Sequence, residues 1–236
     1  METLRITDVG DTAFSVEFGD SVDPAASARV TGLRHAVAEA CRAGRLAGLV
    51  ETVPTFRSLL VQYDPLATCR AELEAEIRAI AGTSGTAPEA AGRLWEIPVC
   101  YDADLGEDLG EIAASRGLSR DEAVGLHTGA EFFVYMLGFM PGFAYMGGLP
   151  EALRLKRRAS PRLKVPPGSV AVADALCAVY PWESPGGWHL IGRTPLKVFD
   201  LERDPPSLLA AGDRVRFKAI DRPTFESLRN GGSSHG

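Results

Sequence analysis

The sequence predicts two consecutive parts: an α+β part over residues 1–82 and a mainly β part, a barrel or sandwich, over residues 94–228. In the first part, apolar stripes with strand spacing alternate with stripes of helix spacing. Residues 83–93 are small, polar and rich in Gly, which is typical of a linker. From Phe132 onward, short β-like runs are broken by Gly and Pro, as in barrels and sandwiches. Residues 229–236 are predicted to be a flexible tail.

The elements of the first part follow from local signals. Alternating apolar and polar residues predict a strand over 13–18, and a helix is expected to begin at Asp23-Pro24, because Asp can cap a helix and Pro fits its first turn. Two further strands are predicted at 49–53 and 58–63, and Asp64-Pro65 repeats the helix-start signal. The order β-β-α-β-β-α suits an antiparallel sheet covered by two helices.

The second part begins with a predicted strand over 94–99. A short helix follows, with Leu105, Leu109 and Ile112 on one face, and a capping box from Ser119 to Glu122 opens another that runs to about His127. The β-like runs that follow cover residues 132–137, 169–173, 178–180, 189–191, 196–200 and 214–220.

Composition excludes several function classes. The 236 residues are 45% hydrophobic and 24% charged, and the net charge of −6 argues against a nucleic-acid-binding protein. No apolar run approaches the roughly 20 residues that a membrane span needs. The first residues lack the basic and apolar segments of a signal peptide, so a cytoplasmic protein is expected. The four cysteines and four histidines show no ligand spacing, and no metal site is predicted.

Residues 138–195 concentrate Gly and Pro beside aromatic and basic side chains. Gly adopts backbone conformations closed to other residues, and Pro fixes φ. Rigid corners of this kind suit a shaped, partly apolar binding site better than a plain structural loop. We expect the wall of a substrate pocket to be formed by Pro141, Gly142, Tyr145, Gly186, Gly187 and Trp188.

Three residues are candidates for catalysis. Residues 154–164 hold six basic residues and no acid, and Arg162 is the most constrained of them because it lies between Pro161 and the Pro166-Pro167 turn. Arg162 and Arg193 are expected to contact an anion, although most of the basic stretch is equally compatible with a solvated loop. His127 ends a predicted helix, where an imidazolium is favoured, so it is interpreted either as an acid–base group or as a hydrogen-bonded structural residue.

No complete hydrolase centre is visible in the sequence. Residues 187–194 nearly match a phosphate-binding P-loop, but that motif needs a following helix, and Pro195 with a strand-like run follows instead. Ser184 is not part of a G-x-S-x-G elbow. The chain is therefore expected to supply part of a site that a second polypeptide completes.

These segments resemble the family of bacterial 5-oxoprolinase B subunits, which is also labelled allophanate hydrolase subunit 1 and includes an inhibitor of a sporulation histidine kinase. The resemblance departs at Phe132, where the family usually has Tyr, near Leu155-Lys156, where it often has a Pro-Arg pair, and near Leu176, where it commonly has Gln. The matching segments extend over nearly the whole chain and include Gly10-Asp11, residues 51–54, 57–61, 97–99, 141–143, 160–162, 167–170, 184–188 and 191–195, and Gly212-Asp213.

The resemblance implies a ferredoxin-like N-terminal domain and a cyclophilin-like β-barrel C-terminal domain. It implies ATP-dependent opening of 5-oxo-L-proline to L-glutamate, with ATP as cofactor of the complex. The site would be shared with the C subunit of the same complex, and the A subunit is a further candidate partner. Two alternatives stay open: a regulator that binds a kinase, and a subunit that hydrolyses allophanate or a related urea carboxylate.

Overall fold

The computed structural model describes residues 4–21, 23–83 and 92–231, and the chain divides into two compact units between Ala91 and Gly92. Residues 84–91 of the predicted linker and 232–236 of the predicted tail lie outside the described residues. None of the helices in the described ranges is both long and apolar enough to cross a bilayer.

The N-terminal unit is a four-stranded antiparallel sheet with two helices, and its core joins apolar side chains of both helices to those of the central strands. The sheet order is β1-β2-β4-β3. The elements in chain order are β1 (Arg5–Asp8), β2 (Ala13–Glu17), α1 (Pro24–Arg42), β3 (Leu49–Pro54), β4 (Ser58–Tyr63) and α2 (Arg70–Thr83).

The two predicted helix starts have different outcomes. Asp23 caps α1, because its carboxylate accepts a hydrogen bond of 2.8 Å from the backbone N–H of Ala26. The second helix begins at Arg70 rather than at Asp64-Pro65. Asp64 instead closes a turn, in which its carboxylate accepts from the N–H of Leu66 at 2.9 Å.

The C-terminal unit is built on a seven-stranded sheet that nearly closes into a barrel, in the order β12-β9-β10-β7-β6-β13-β5. Cys100 follows β5 and exchanges two backbone hydrogen bonds of 2.9 Å with Arg193 of β12, which joins the two ends of the sheet. The elements are β5 (Leu94–Val99), α3 (Leu109–Ser115), α4 (Arg120–Thr128), β6 (Glu131–Leu137), β7 (Ala144–Gly147), β8 (Arg162–Val165), β9 (Ser169–Ala173), β10 (Leu176–Val179), β11 (Ser184–Gly186), β12 (His189–Arg193), β13 (Arg214–Ala219) and α5 (Arg222–Gly231).

Both faces of the barrel wall are buried near β9. Val170 and Val172 point into the interior core, whereas the alternating Ala171 and Ala173 belong to a second apolar cluster on the opposite face. The separate two-stranded antiparallel sheet of β8 and β11 contributes Val165 to that second cluster. Because sheet faces alternate residue by residue, this wall can hold a packed interior and still carry a separate site outside.

Three sequence predictions need correction here. The predicted strand over 196–200 is absent, and Phe199 makes only an isolated bridge with Ser207. The first short helix begins at Leu109 rather than near Leu105. Residues 229–231, predicted as the start of the tail, continue α5, which Phe225 fixes through a buried contact with Cys100 and Leu105.

Candidate functional site

Four aromatic rings gather on the outer face of the barrel and are called the aromatic face: Phe143, Tyr145, Tyr180 and Trp188. Phe143 is central, with ring centroids 4.9 Å from Tyr145, 5.1 Å from Tyr180 and 5.7 Å from Trp188. All three contacts are edge-to-face, the favoured geometry for aromatic pairs. Phe143 and Tyr180 are buried, whereas half-buried Tyr145 and the edge of Trp188 reach the surface.

The predicted pocket glycines pack against aromatic rings. A Cβ at Gly186 would lie 2.3 Å from the hydroxyl oxygen of Tyr180, so only Gly lets this backbone approach the aromatic face. Gly142 has φ of +81°, and a Cβ there would lie 2.5 Å from Cβ of Phe199. Of the predicted pocket residues, Tyr145 and Trp188 therefore contact Phe143 directly. Gly186 lies against Tyr180, and Gly142 lies in the loop that leads to Phe143.

The two remaining pocket candidates lie at the edge of this arrangement. Gly187 is buried, and a Cβ there would contact the guanidinium of Arg157 at 3.7 Å. Pro141 is exposed in the loop between β6 and β7. Both positions adjoin the aromatic face without being part of it.

A buried carboxylate, which the sequence reasoning missed, organises the arginines beside this face. Asp108 accepts hydrogen bonds from Nη1 of Arg158 at 3.0 Å, from Nη2 of Arg162 at 2.8 Å and from the backbone N–H of Leu190 at 2.7 Å. Burial raises the pKa of Asp108, but the bonds from Arg162 and Leu190 outweigh it and hold the pKa below its usual value. Asp108 precedes α3 and resembles a helix cap in the sequence, yet its side chain makes no capping bond.

Arg162 and Arg193 both approach Glu107. Arg162 donates to the Glu107 carboxylate at 3.2 Å, and that carboxylate also acts electrostatically on Arg193, whose pKa is lowered by burial. Nη1 of Arg162 and Nε of Arg193 are buried and find no acceptor among the described residues. Unpaired buried donors are rare because they cost free energy, so these two N–H groups are available to donate to an anionic ligand oxygen.

His127 lies inside the barrel rather than with the arginines. Its side chain is fully buried, its Nδ1 is 2.7 Å from the Tyr101 hydroxyl, and its ring stacks on Phe217 at 4.5 Å. Burial lowers the pKa of His127 to about 3, so the neutral imidazole is the stable form. Of the two roles predicted for His127, this burial and the hydrogen bond to Tyr101 favour that of a hydrogen-bonded structural residue.

Large apolar side chains remain exposed around the site. Phe139 is 64% exposed, has φ of +68° and meets Phe143 edge-to-face at 5.4 Å. Trp182 is 39% exposed and packs on Phe199, which in turn covers Gly142. Leu163 on β8 is 87% exposed. A positive φ is unfavourable for Phe, so the loop carries a strain energy while it presents this ring to the surface.

No group of three or more His, Cys, Asp or Glu side chains that could hold a metal ion occurs in the described ranges.

Comparison with known proteins identifies the family. Residues 4–209 match the carboxyltransferase domain, subdomain C and D. The chain is 36% identical to the B subunit of 5-oxoprolinase from Bacillus subtilis, with 95% of this chain and 96% of that protein covered. It is 38% identical to the B subunit of the Escherichia coli O157:H7 enzyme, over 92% of this chain and 96% of the relative. The chain belongs to the family of 5-oxoprolinase B subunits.

Solved structures share the fold of this chain. The crystal structure of TTHA0988 matches with a TM-score of 0.78 and 37% identity, covering 93% of this chain but only 41% of that longer chain. PH0987 from Pyrococcus horikoshii matches with 41% identity and a TM-score of 0.55, over 94% of this chain and 100% of PH0987. Urea amidolyase from K. lactis shares the fold, with a TM-score of 0.76 at 21% identity over 96% of this chain and 15% of its own.

Two of the positions at which the resemblance departs, Phe132 and Leu176, lie in different places. Phe132 is fully buried in the barrel interior, 5.0 Å from the ring of His127, so the missing hydroxyl concerns the core. Leu176 is partly buried and packs at the edge of the cluster that holds the aromatic face. Of the two positions, only Leu176 lies beside the candidate site.

Proposed function

We propose that this chain is a non-autonomous subunit of an ATP-dependent 5-oxoprolinase, which converts 5-oxo-L-proline to L-glutamate at a site shared with a partner subunit. The observation that carries the proposal is that three large apolar side chains, Phe139, Leu163 and Trp182, are exposed on the segments that carry the arginines and aromatic rings of the site. Large exposed apolar side chains near a site are typical of protein interfaces. The names of the relatives and their end-to-end match support a subunit role.

The substrate fits the chemistry of the site. 5-Oxo-L-proline has a carboxylate and a flat lactam ring. In the proposal, Arg193 and the unpaired Nη1 of Arg162 bind the carboxylate, because an arginine N–H to a carboxylate is a strong, charge-assisted bond. The rings of Tyr145 and Trp188 cover the lactam ring, while Gly186 and Gly187 keep the neighbouring backbone close. Asp108 positions Arg162 and does not contact substrate.

ATP belongs to the proposed reaction because an unstrained lactam is a poor electrophile, and a phosphoryl group on its oxygen supplies a leaving group. The residues of this chain that fit a triphosphate by charge are the cations of residues 154–158. The proposed partners are the C subunit, which completes the site, and the A subunit. Because the reaction consumes ATP, the proposal places the complex in the cytoplasm.

The fold is consistent with the domain types expected for such a subunit. In the N-terminal unit, the order β1-β2-β4-β3 with α1 after β2 and α2 after β4 supports a ferredoxin-like arrangement whose edge strand is β1. The nearly closed barrel with its site on the outer wall supports a cyclophilin-like C-terminal unit.

The test is reconstitution. The chain and its co-purified partners are mixed, and ATP-dependent release of glutamate from 5-oxo-L-proline is measured with and without the chain. Phe139→Ser should weaken association with the partner and lower turnover in parallel, whereas Leu66→Ser, which removes a 96% exposed side chain of the N-terminal unit, should change neither. Full turnover without the chain would refute the proposal, as would release of ammonia from allophanate with no glutamate from 5-oxo-L-proline.

A further inference from the structure

A second surface feature lies beside the candidate site and is called the basic groove. It has a volume of about 690 Å³. Its described lining contains five Lys or Arg residues and a single acid, in a chain whose net charge is −6. The lining residues are Arg116, Arg154, Leu155, Lys156, Arg157, Arg158, Ala159, Asp174, Ala175 and His189.

The backbone of the groove is fixed from several directions. Nη2 of Arg116 donates to the carbonyl of Arg154 at 2.7 Å, and Nε2 of His189 donates to the carbonyl of Lys156 at 2.9 Å. The N–H of Arg158 donates to Gly187 at 2.8 Å, and the N–H of Asp174 donates to Leu155 at 2.6 Å. The segment 154–158 is therefore tied to α3, β12 and the β9–β10 turn, which presents its cations from a pre-organised backbone.

The charges of the groove are mostly uncompensated. Arg158 is paired with Asp108, and Lys156 contacts Asp174 at 3.1 Å with an almost fully exposed ammonium. The guanidinium groups of Arg116, Arg154 and Arg157 have no carboxylate partner among the described residues. Arg116 and Arg154 each use one N–H on a backbone carbonyl and keep their other donors available.

Arg157 is the central residue of this surface. It is exposed, and its side chain makes no ion pair or hydrogen bond within the described part of the chain. Its guanidinium also lies beside Gly187, at 3.7 Å from the position of a Cβ there, so it borders both the groove and the backbone next to Trp188. A guanidinium in this position can bridge a ligand in the groove to one at the aromatic face.

We propose that the basic groove binds the oligophosphate part of a small-molecule ligand, with Arg157 and Lys156 as the principal contacts. Several forked guanidinium groups on a fixed backbone around one concavity match a chain of phosphates, which carries more charge and more acceptor oxygens than a single carboxylate. The inference rests on the proposed function for the class of ligand and deepens it, because it locates the phosphate-binding cations in one groove; its test measures binding by this chain alone and requires no turnover.

The test is calorimetric titration of the purified full chain with pyrophosphate, with ATP and with sulfate as a control anion. Pyrophosphate and ATP should both bind saturably, and more tightly than sulfate. Arg157→Ala and Lys156→Ala should each weaken both by about tenfold or more, the loss expected for a charge-assisted hydrogen bond. Lys218→Ala, which removes an exposed cation from β13, should leave the affinity unchanged.

Three outcomes would overturn the inference: no saturable binding of either phosphate at millimolar concentration, equal affinity for sulfate and pyrophosphate, or unchanged affinity in Arg157→Ala. None of these would affect the shared-site proposal, which is measured by glutamate release. Equally, if the reconstituted complex shows no turnover, the shared-site proposal fails, but the titration still tests phosphate binding by the chain.

Discussion

Each unit of the chain contains a carboxylate that holds two arginines, and the two carboxylates differ in how they are built. Glu74 in the N-terminal unit is bound by Arg70 and Arg78 on the same helix, each four residues away, and its side chain is 25% exposed. Asp108 in the C-terminal unit is bound by Arg158 and Arg162, 50 and 54 residues along the chain, and its side chain is 6% exposed.

The difference shows which of the two carboxylates depends on long-range contacts for its arginine partners. The Glu74 pairs need only the spacing of one helix surface, where water screens them. The Asp108 pairs exist only when the segment before α3, the basic segment and β8 have come together, and water no longer solvates the carboxylate. Tertiary structure therefore decides the geometry of the Asp108 pairs in the candidate site, whereas the spacing along one helix decides the geometry of the Glu74 pairs.

The largest expected effect is on the buried carboxylate. Asp108→Asn keeps the shape but leaves Arg158 without its counter-charge and Arg162 with only the more exposed Glu107, so the C-terminal unit should lose about 3–5 kcal/mol of unfolding free energy. Glu74→Gln is the matched variant, and it should cost less than about 1 kcal/mol because its pairs are partly exposed. Chemical denaturation of both variants measures the difference. Equal losses would contradict the distinction between the two carboxylates.

A smaller effect is expected at two glycines with the same backbone conformation. Gly44 in the N-terminal unit and Gly142 in the C-terminal unit have φ of +73° and +81°, so Ala is strained at both. Only at Gly142 does a Cβ also collide, 2.5 Å from Phe199, whereas nothing lies within 4 Å at Gly44. Gly142→Ala should therefore destabilise by about 1–3 kcal/mol more than Gly44→Ala. Thermal unfolding measures both losses of stability. If Gly142→Ala and Gly44→Ala lose similar stability, Phe199 moves aside at little cost in free energy.

The smallest effect at neutral pH concerns His127 and appears on acidification. The folded pKa of about 3 lies below the unfolded value of 6.5, so the stability that comes from the neutral ring is complete above pH 6.5 and is lost as the pH falls toward 3. Between pH 6 and pH 4, His127 should account for about 1.4 kcal/mol of lost stability per pH unit.

His127→Gln removes the titrating ring, so the unfolding free energy of the variant should change less steeply with pH between pH 6 and pH 4. This comparison of slopes does not depend on how stable the variant is at pH 7.5. Urea denaturation at several pH values measures both slopes. An identical slope in the variant would mean that His127 is protonated in the folded state and is not the buried neutral group that its contacts indicate.

The sequence predicts the secondary structure of this chain better than it predicts the contacts within the candidate site. Periodicity placed β9 and the capped starts of α1 and α4 correctly, because each depends on neighbouring residues. It did not find β7, β8 or β11, because these short strands lie among Gly and Pro and are stabilised by pairing with distant segments.

The sequence could indicate which aromatic and glycine residues form the candidate site, but it could not indicate the long-range contacts between its charged side chains. The aromatic and glycine residues could be chosen from their constrained corners, and Tyr145 and Trp188 do meet, at 5.9 Å. Asp108 was missed because an acid before a short helix resembles a cap, and nothing local shows that it faces arginines 50 residues away. His127 was ambiguous for the same reason, since a helix end indicates neither burial nor exposure.

The most direct test of the account is steady-state kinetics of the reconstituted complex carrying Arg193→Ala, over a range of 5-oxo-L-proline concentrations. If Arg193 binds the substrate carboxylate, KM should rise by about tenfold or more while kcat changes much less and the melting temperature of the chain is retained. An unchanged KM in a fully assembled complex would contradict the account, because the carboxylate would then be held elsewhere.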